Sequence, residues 1–311
     1  MPLSRRGLIA GSAASFALAA CHGRSDAAVL NVGNQRGGTK SLMLAAGVLD
    51  GAPYRIEWSE FPAAQNLVEA IGSGAVDVGL MADAPFQFAY QGGSPICAIG
   101  AMIATATTPG ALGILVRHDS PARGLDDLLG RKVATTRGGI GHYQILRALL
   151  ANGHRADAVE ITFLSPSDSQ AALQSGAVDA WSTWAPYTIA AMQGGARLLI
   201  NGRDYASGAA FDVAHVGAVR TKRALLTDFL ARESRAMDWA STHKDAFAGV
   251  LSRETGLPPA VATGTVNCAT RVRAPIDPAL IAAQQVVLDT FRASGDIKAA
   301  RPLDQAFVAL A

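Results

Sequence analysis

The sequence predicts an α/β protein of two lobes, joined by two crossover segments, with a cleft between them. Three observations carry this. The chain has 311 residues, enough for two domains of roughly 100–200 residues each. A block of motifs occurs twice, in the same order. Each copy opens with a short β-type run, a Gly-Gly turn and an apolar-periodic segment. Strands alternating with helices imply a largely parallel sheet with helices on both faces.

The repeat organises the chain. Ser73-Gly74-Ala75-Val76-Asp77 returns as Ser175-Gly176-Ala177-Val178-Asp179, at an offset of 102 residues. Arg36-Gly37-Gly38 returns as Arg137-Gly138-Gly139, at an offset of 101. Phe61-Pro62 and Ser165-Pro166 lie between these anchors, and Val116-Arg117 and Val219-Arg220 follow them. The first strands are read at 29–32 and 132–135, and the helices after the glycines at 42–49 and 143–150. Second strands are expected at 54–58 and 159–163, and second helices at 64–73 and 169–175. Gly74 and Gly176 sit where a helix end favours positive φ. Val-Asp then starts a third strand in each copy. Helical patterns close the chain at 224–243, 258–267 and 278–293. On this reading one lobe is 28–113 plus 221–311, the other is 118–215, and the hinge crossovers are 114–117 and 216–220. Hinged lobes around a cleft are a common ligand-closure design.

Residues 1–20 stand outside the fold. Arg5 and Arg6 precede a small-and-apolar run that ends Leu18-Ala19-Ala20-Cys21. A run this short with small residues at its end reads as an export signal. The paired arginines resemble a twin-arginine signal. Cys21 resembles the acylated cysteine of a bacterial lipoprotein, or is a small residue beside an ordinary cleavage site. The other cysteines, Cys97 and Cys268, could pair in an oxidising compartment or be two buried small side chains.

Composition narrows the function. Half the residues are hydrophobic and 17% are charged, which excludes a disordered chain. Formal net charge is +2, all of it from Arg5 and Arg6. The rest is neutral and without a basic tract, a poor match for nucleic acid. No run after the leader reaches the ~20 apolar residues of a membrane span. No Cys/His spacing suits zinc. Thr39 intervenes between Gly38 and Lys40, which breaks a P-loop. No G-x-S-x-G or Cys–His pair marks a nucleophile, so an enzyme is disfavoured.

The Gly-Gly loops point to an anion site. Each places backbone N–H groups at a helix N-terminus, where the helix dipole attracts negative charge. Arg36 and Arg137 add planar donors beside them. Asp83-Ala84-Pro85 reads as a third helix start, with Asp83 a cap or a cleft residue. Trp181 and Trp184, three apart as on one helical face, are core residues or cleft walls. Asp212 is a solvated loop acid, or a partner for a cationic group on the ligand.

Several segments resemble a known family. Gly33-Asn34-Gln35-Arg36-Gly37, Glu60-Phe61-Pro62-Ala63, Gly74-Ala75-Val76-Asp77, Asp83-Ala84-Pro85, Leu164-Ser165-Pro166, Gly176 to Trp181 and Gly256 to Val261 resemble motifs of the aliphatic-sulfonate-binding proteins of bacterial ABC importers. His142-Tyr143, Trp184-Ala185-Pro186 and Phe211-Asp212-Val213 are more similar to their taurine-binding relatives. The resemblance implies a type II-like periplasmic-binding-protein fold and delivery of an alkanesulfonate, for sulfur, to a permease and its ATPase. It implies a monomer in the periplasm, lipid-anchored if Cys21 is acylated, with no cofactor or metal. Taurine, nitrate and thiamine-precursor binding and a sensory role stay open as alternatives. The expected ligand-binding set is Gln35, Arg36, Gly37, Gly38, Thr39, Asp83, Ala84, Thr108, Arg137, Gly138, Gly139, Gly141, His142, Tyr143, Trp181, Trp184 and Asp212.

Overall fold

A computed structural model describes residues 28–36, 38–105, 109–268, 270–298 and 300–310. The leader with Cys21, and Gly37 and Thr108, lie outside these residues. The chain runs through β1 (Val29–Gln35), α1 (Thr39–Ala45), β2 (Arg55–Phe61), α2 (Ala64–Gly72), β3 (Val78–Ala82), α3 (Asp83–Gln91) and β4 (Ile96–Ala104). Then come β5 (Leu112–Val116), β6 (Lys132–Thr135), α4 (Ile140–Ala151), β7 (Glu160–Phe163), α5 (Pro166–Ser175), β8 (Ala180–Trp184), α6 (Tyr187–Gln193) and β9 (Arg197–Asn201). The tail is β10 (Ala209–His215), α7 (Val216–Thr221), α8 (Arg223–Thr242), α9 (Lys244–Thr255), α10 (Pro259–Cys268), β11 (Arg271–Ala274) and α11 (Pro278–Ala293).

Two sheets result, one per lobe. The first is ordered β11-β4-β10-β3-β1-β2, the second β7-β6-β8-β5-β9. In each, the strand before the Gly-Gly turn lies parallel between the second and third strands of its repeat. The repeated Val-Asp has a structural job in both. Asp77 Oδ2 accepts from the Asn31 N–H at 2.7 Å, and Asp179 Oδ2 from the Lys132 N–H at 3.0 Å. Each acid thereby fixes the start of the third strand against the first. Gly74 (φ 80°) and Gly176 (φ 78°) hold the left-handed turns that release the chain from the preceding helix.

The crossovers differ from the sequence reading. Residues 114–116 lie within β5, a fully buried strand between β8 and β9, and residues 216–220 lie within α7. The chain leaves the first sheet after Ala104 and joins the second at Leu112. It leaves the second after Asn201 and returns at Ala209. A short apolar run reads equally as a connector or as a buried strand, and here pairing on both edges makes it a strand. The strand β11 and the helix α9 were also not expected. Cys97 and Cys268 are both free and buried.

The tail helices reach both lobes. Val287, Leu288 and Phe291 of α11 pack with Ala84 of α3 and with Tyr143 and Leu146 of α4. Leu251 of α9 and Val261 of α10 pack with Ile189 of α6. Tyr187 Oη donates to the Pro62 carbonyl across the lobes at 2.8 Å. These contacts hold the ends of the strands opposite one another.

Candidate functional site

A cavity of about 200 Å³ lies between the lobes. From the first lobe Gln35, Arg36, Gly38, Thr39 and Asp83 line it, at the C-terminal ends of β1 and β3. From the second come Gly139 and Ile140, which open α4, and Trp184, which ends β8. Ligands of open α/β sheets bind at this end of the strands.

The second-lobe wall offers backbone donors. Gly139 precedes α4 with no side-chain cap, so the first-turn N–H groups have no intrahelical acceptor. A Cβ on Gly139 would crowd the Thr136 hydroxyl and sit 2.6 Å from Gln65 Nε2, so both side chains would have to shift. The neighbouring Gly138 N–H is already committed: it donates to His142 Nδ1 at 3.2 Å. That bond leaves the imidazole proton on Nε2. Burial, acting before the charges of Asp296 and Arg137, pushes the His142 imidazole down to about 4. His142 is therefore neutral at physiological pH and orders the loop.

The first-lobe wall contributes two groups with unmet polar capacity. Gln65, in the first turn of α2, has both amide atoms buried without a protein partner. Arg271, which opens β11, lines the cavity with its Nε buried and unpartnered. Burial lowers the pKa of this guanidinium, and the nearby Cys268 and Glu233 only partly oppose that. A buried donor without a partner costs roughly 1–3 kcal/mol, a cost that an anion in the cavity would offset. The carboxyl of Asp83 faces the same space. It accepts from the Ala84 N–H at 2.7 Å and from the Ser207 hydroxyl. Burial still pushes it up to about 6.

Other expected site residues do not line the cavity. Ala84 is buried in the apolar cluster with Phe291. Arg137 turns outward to Asp296 at 3.0 Å and lies over the Phe163 ring. Gly138 packs under Phe88, and Gly141 packs against the Ser182 carbonyl of β8. His142 and Tyr143 are buried around Phe291. Trp181 and Trp184 are in a strand and not a helix, so a spacing of three puts them on opposite faces. Trp181 accordingly fills the core of the second lobe, while Trp184 reaches the cavity.

Asp212 is the sharpest departure. It lies in the middle of β10, only 1% exposed. Its carboxylate pairs with Arg273, which also pairs with Glu233. Burial first, and Asp212 second, push the Glu233 carboxyl well above the usual range. Glu233 in turn accepts from the Thr39 hydroxyl at 3.1 Å. Asp212 thus sits one step inside the sheet from Ala210, which does line the cavity, and its charge is used internally.

The family model described as NMT1/THI5 like matches residues 58–246. An aliphatic sulfonates-binding protein of Escherichia coli (strain K12) is 32% identical over 285 residues, covering 90% of this chain and 88% of that one. The chain belongs to this family. The alkanesulfonate-binding protein SsuA from Xanthomonas axonopodis pv. citri, solved bound to MOPS, is 29% identical with a TM-score of 0.82. That match covers 91% of this chain and 98% of that one. A taurine-binding periplasmic protein of Escherichia coli (strain K12) is 30% identical over 131 residues, covering 42% of this chain and 39% of that one. The similarity to sulfonate binders thus spans most of the chain, and that to the taurine binder less than half. These relatives of the family are binding proteins rather than enzymes.

In this member of the family, Gln65 and Arg271 escaped sequence reading. Gln65 was absorbed into a helix start. Arg271 follows α10 in a segment with no assigned element. The alternation Arg271-Val272-Arg273 was the available signal: a period of two puts both arginines on one face of a strand.

Proposed function

We propose that the chain is the extracytoplasmic substrate-binding component of an ABC importer and that it takes an alkanesulfonate in the inter-lobe cavity. The observation that carries this is the Arg271 guanidinium in the cavity wall, whose Nε is buried without a partner. A sulfonate is a permanent anion with three acceptor oxygens. The Arg271 fork, the Gln65 amide and the free N–H groups opening α4 supply donors from both lobes. Trp184, Ile140, Leu80 and Met81 give the organic part an apolar wall. The names of the relatives point to the same ligand class.

On this reading the lobes close about the two chain crossings that join the sheets. The exported chain is a periplasmic monomer that hands its ligand to a permease and ATPase, with Cys21 as the lipid anchor if acylated. This reading assigns it binding rather than catalysis: among the described residues, those lining the cavity offer binding groups. A second reading, an amino-sulfonate, is supported by Asp83, whose carboxyl occupies the wall where an acid was expected from Asp212.

Calorimetric titration of the mature, leader-free chain tests the proposal, with ethanesulfonate, longer alkanesulfonates, taurine, sulfate and nitrate. Sulfonates are expected to bind more tightly than sulfate or nitrate. Arg271→Ala is expected to weaken ethanesulfonate about 10- to 150-fold, as for a hydrogen bond to a charged group, with partial recovery in Arg271→Lys. Silence of the folded chain across the sulfonates would remove the reading. Unchanged binding by Arg271→Ala would remove Arg271 from the site.

A further inference from the structure

The buried charges behind the cavity do not balance. Arg273 of β11 pairs with two carboxylates at once, Asp212 of β10 and Glu233 of α8. Both acids are buried, so water does little to spread the surplus negative charge. The next cation is Arg271, two residues earlier on the same face of β11. Glu233 attracts it, and its Nε keeps no partner. Cys268, at the end of α10, also faces Arg271, and burial holds its thiol protonated, up at about 11. Neighbouring charges are committed elsewhere. Lys40 of α1 pairs with Glu254 of α9, and Arg232 of α8 pairs with Asp228.

A hydroxyl links this cluster to the cavity. The two oxygens of Glu233 have different partners. Arg273 donates to Oε2, while Oε1 accepts from the Thr39 hydroxyl at 3.1 Å. Thr39 is the first residue of α1 and lines the cavity. An ionised carboxylate is acceptor-only. Its Oε1 therefore holds the Thr39 proton, and the hydroxyl can offer an anion only lone pairs. A proton on Oε1 reverses the bond. Glu233 then donates, Thr39 accepts, and the Thr39 O–H is free to donate to an anion. Oε1 is the place for that proton, because Oε2 already receives the guanidinium.

We propose that Glu233 is a positioning residue for the anion: it takes up a proton when the cavity fills, and that proton releases the Thr39 hydroxyl to the ligand. The inference rests on the sulfonate reading. An anion beside Arg271 adds to the negative surplus, and a proton on Glu233 removes one charge from it. Burial first, and Asp212 second, already favour the neutral form of this carboxyl, with Arg273 opposing. A bound anion strengthens that preference. Affinity is therefore greatest where the carboxyl is protonated in the free chain, and it falls as pH rises through the titration.

The test uses the mature chain and ethanesulfonate, the anion of a strong acid, which does not itself titrate. Calorimetry in buffers of different ionisation enthalpy counts the protons bound with it. Between about pH 7 and 9 the wild type is expected to take up a large fraction of one proton, and its dissociation constant to rise by up to about tenfold per pH unit. Glu233→Gln mimics the protonated acid, so it should take up none and bind equally tightly across that range. Asp212→Asn leaves one carboxylate on Arg273, and with it an ionised Glu233. It too should take up none, but it should bind several-fold more weakly than wild type at the neutral end. A role in folding alone would weaken both variants. Asp83→Asn should keep the uptake, since Asp83 titrates at about 6, below this range. A wild type that binds ethanesulfonate without proton uptake would overturn the inference and leave the sulfonate reading intact. Uptake that survives in Glu233→Gln, or vanishes in Asp83→Asn, would place the proton elsewhere and also overturn it. A wild type that binds no sulfonate would overturn both.

Discussion

Arg36 and Arg137 begin the same three-residue motif, at the same point of the same strand–turn–helix unit, and they end in different places. Arg36 lines the cleft and donates to the Thr255 carbonyl at 3.3 Å. Arg137 turns away to Asp296 and Phe163. The helices that follow differ in the same way. Helix α1 has 7 residues and packs on the tail helices α8 and α9. Helix α4 has 12 residues and packs closely on β8 and α11. The position two residues after the motif is Lys40 in one copy, paired with Glu254 at 3.1 Å, and Gly141 in the other. The repeat thus dictates a local backbone plan. What each copy does is set by what packs over it.

Three measurements would break or sharpen this comparison. The largest effect is expected at Gly141. A Cβ there would sit 2.5 Å from the Ser182 carbonyl oxygen, a backbone atom that cannot step aside. Gly141→Ala should cost about 3 kcal/mol or more in urea unfolding. At the matching position, Lys40→Ala removes a partly exposed pair and should cost less than about 1 kcal/mol. Similar losses at both sites would mean that the two helices are seated alike.

Next come the two repeated acids. Asp77 holds the Asn31 N–H and also pairs with Lys222 at 2.7 Å. Asp179 is exposed and holds the Lys132 N–H. Asp77→Ala should cost roughly 2–3 kcal/mol and Asp179→Ala about 1 kcal/mol, read by the same unfolding assay. Lys222→Ala in the Asp77→Ala background should add little, because its partner is already gone.

The smallest effect is a pH dependence at Asp83. Its folded carboxyl is up at about 6, against an ordinary 3.8. The ionised form is therefore penalised in the fold. That penalty is complete above pH 6 and is relieved as pH falls between about 6 and 4. A bound alkanesulfonate adds a second negative charge to the cleft, so its affinity should rise a few-fold as pH drops from 7.5 to 5.5. Asp83→Asn should flatten that dependence. For taurine the ammonium favours ionised Asp83, so the sign should reverse. Titrations of both ligands at the two pH values decide between the readings.

Much of the frame was legible because it rests on local rules. The strand 132–135 and the helix 278–293 have the observed bounds. The second of these starts with an Asp277 cap and a first-turn proline. The glycines after the second helices carry the positive φ that their position demanded. Of the residues expected at the cleft, Gln35, Arg36, Gly38, Thr39, Asp83, Gly139 and Trp184 line one cavity. Its remaining members were hidden. Trp181 was paired with Trp184 on a helical period, and a strand separates them. Leu112 to Val116 is apolar throughout, so no alternation distinguished a central strand from a connector.

By itself, then, the sequence determined the repeat, the α/β alternation and the capping glycines. Each depends on contacts a few residues apart or on periodicity along one element. Tertiary structure alone decided which charges are spent and which remain free. Asp212 finds Arg273 at a separation of 61 residues and leaves the cleft's chemistry. Arg271, two residues earlier on the same strand face, keeps its Nε unpartnered at the cavity. A carboxylate and a guanidinium look alike in sequence whether paired or free. Only packing fixes their neighbours, and burial makes the difference matter, because a charge away from water must find a counter-charge in the protein or in a ligand.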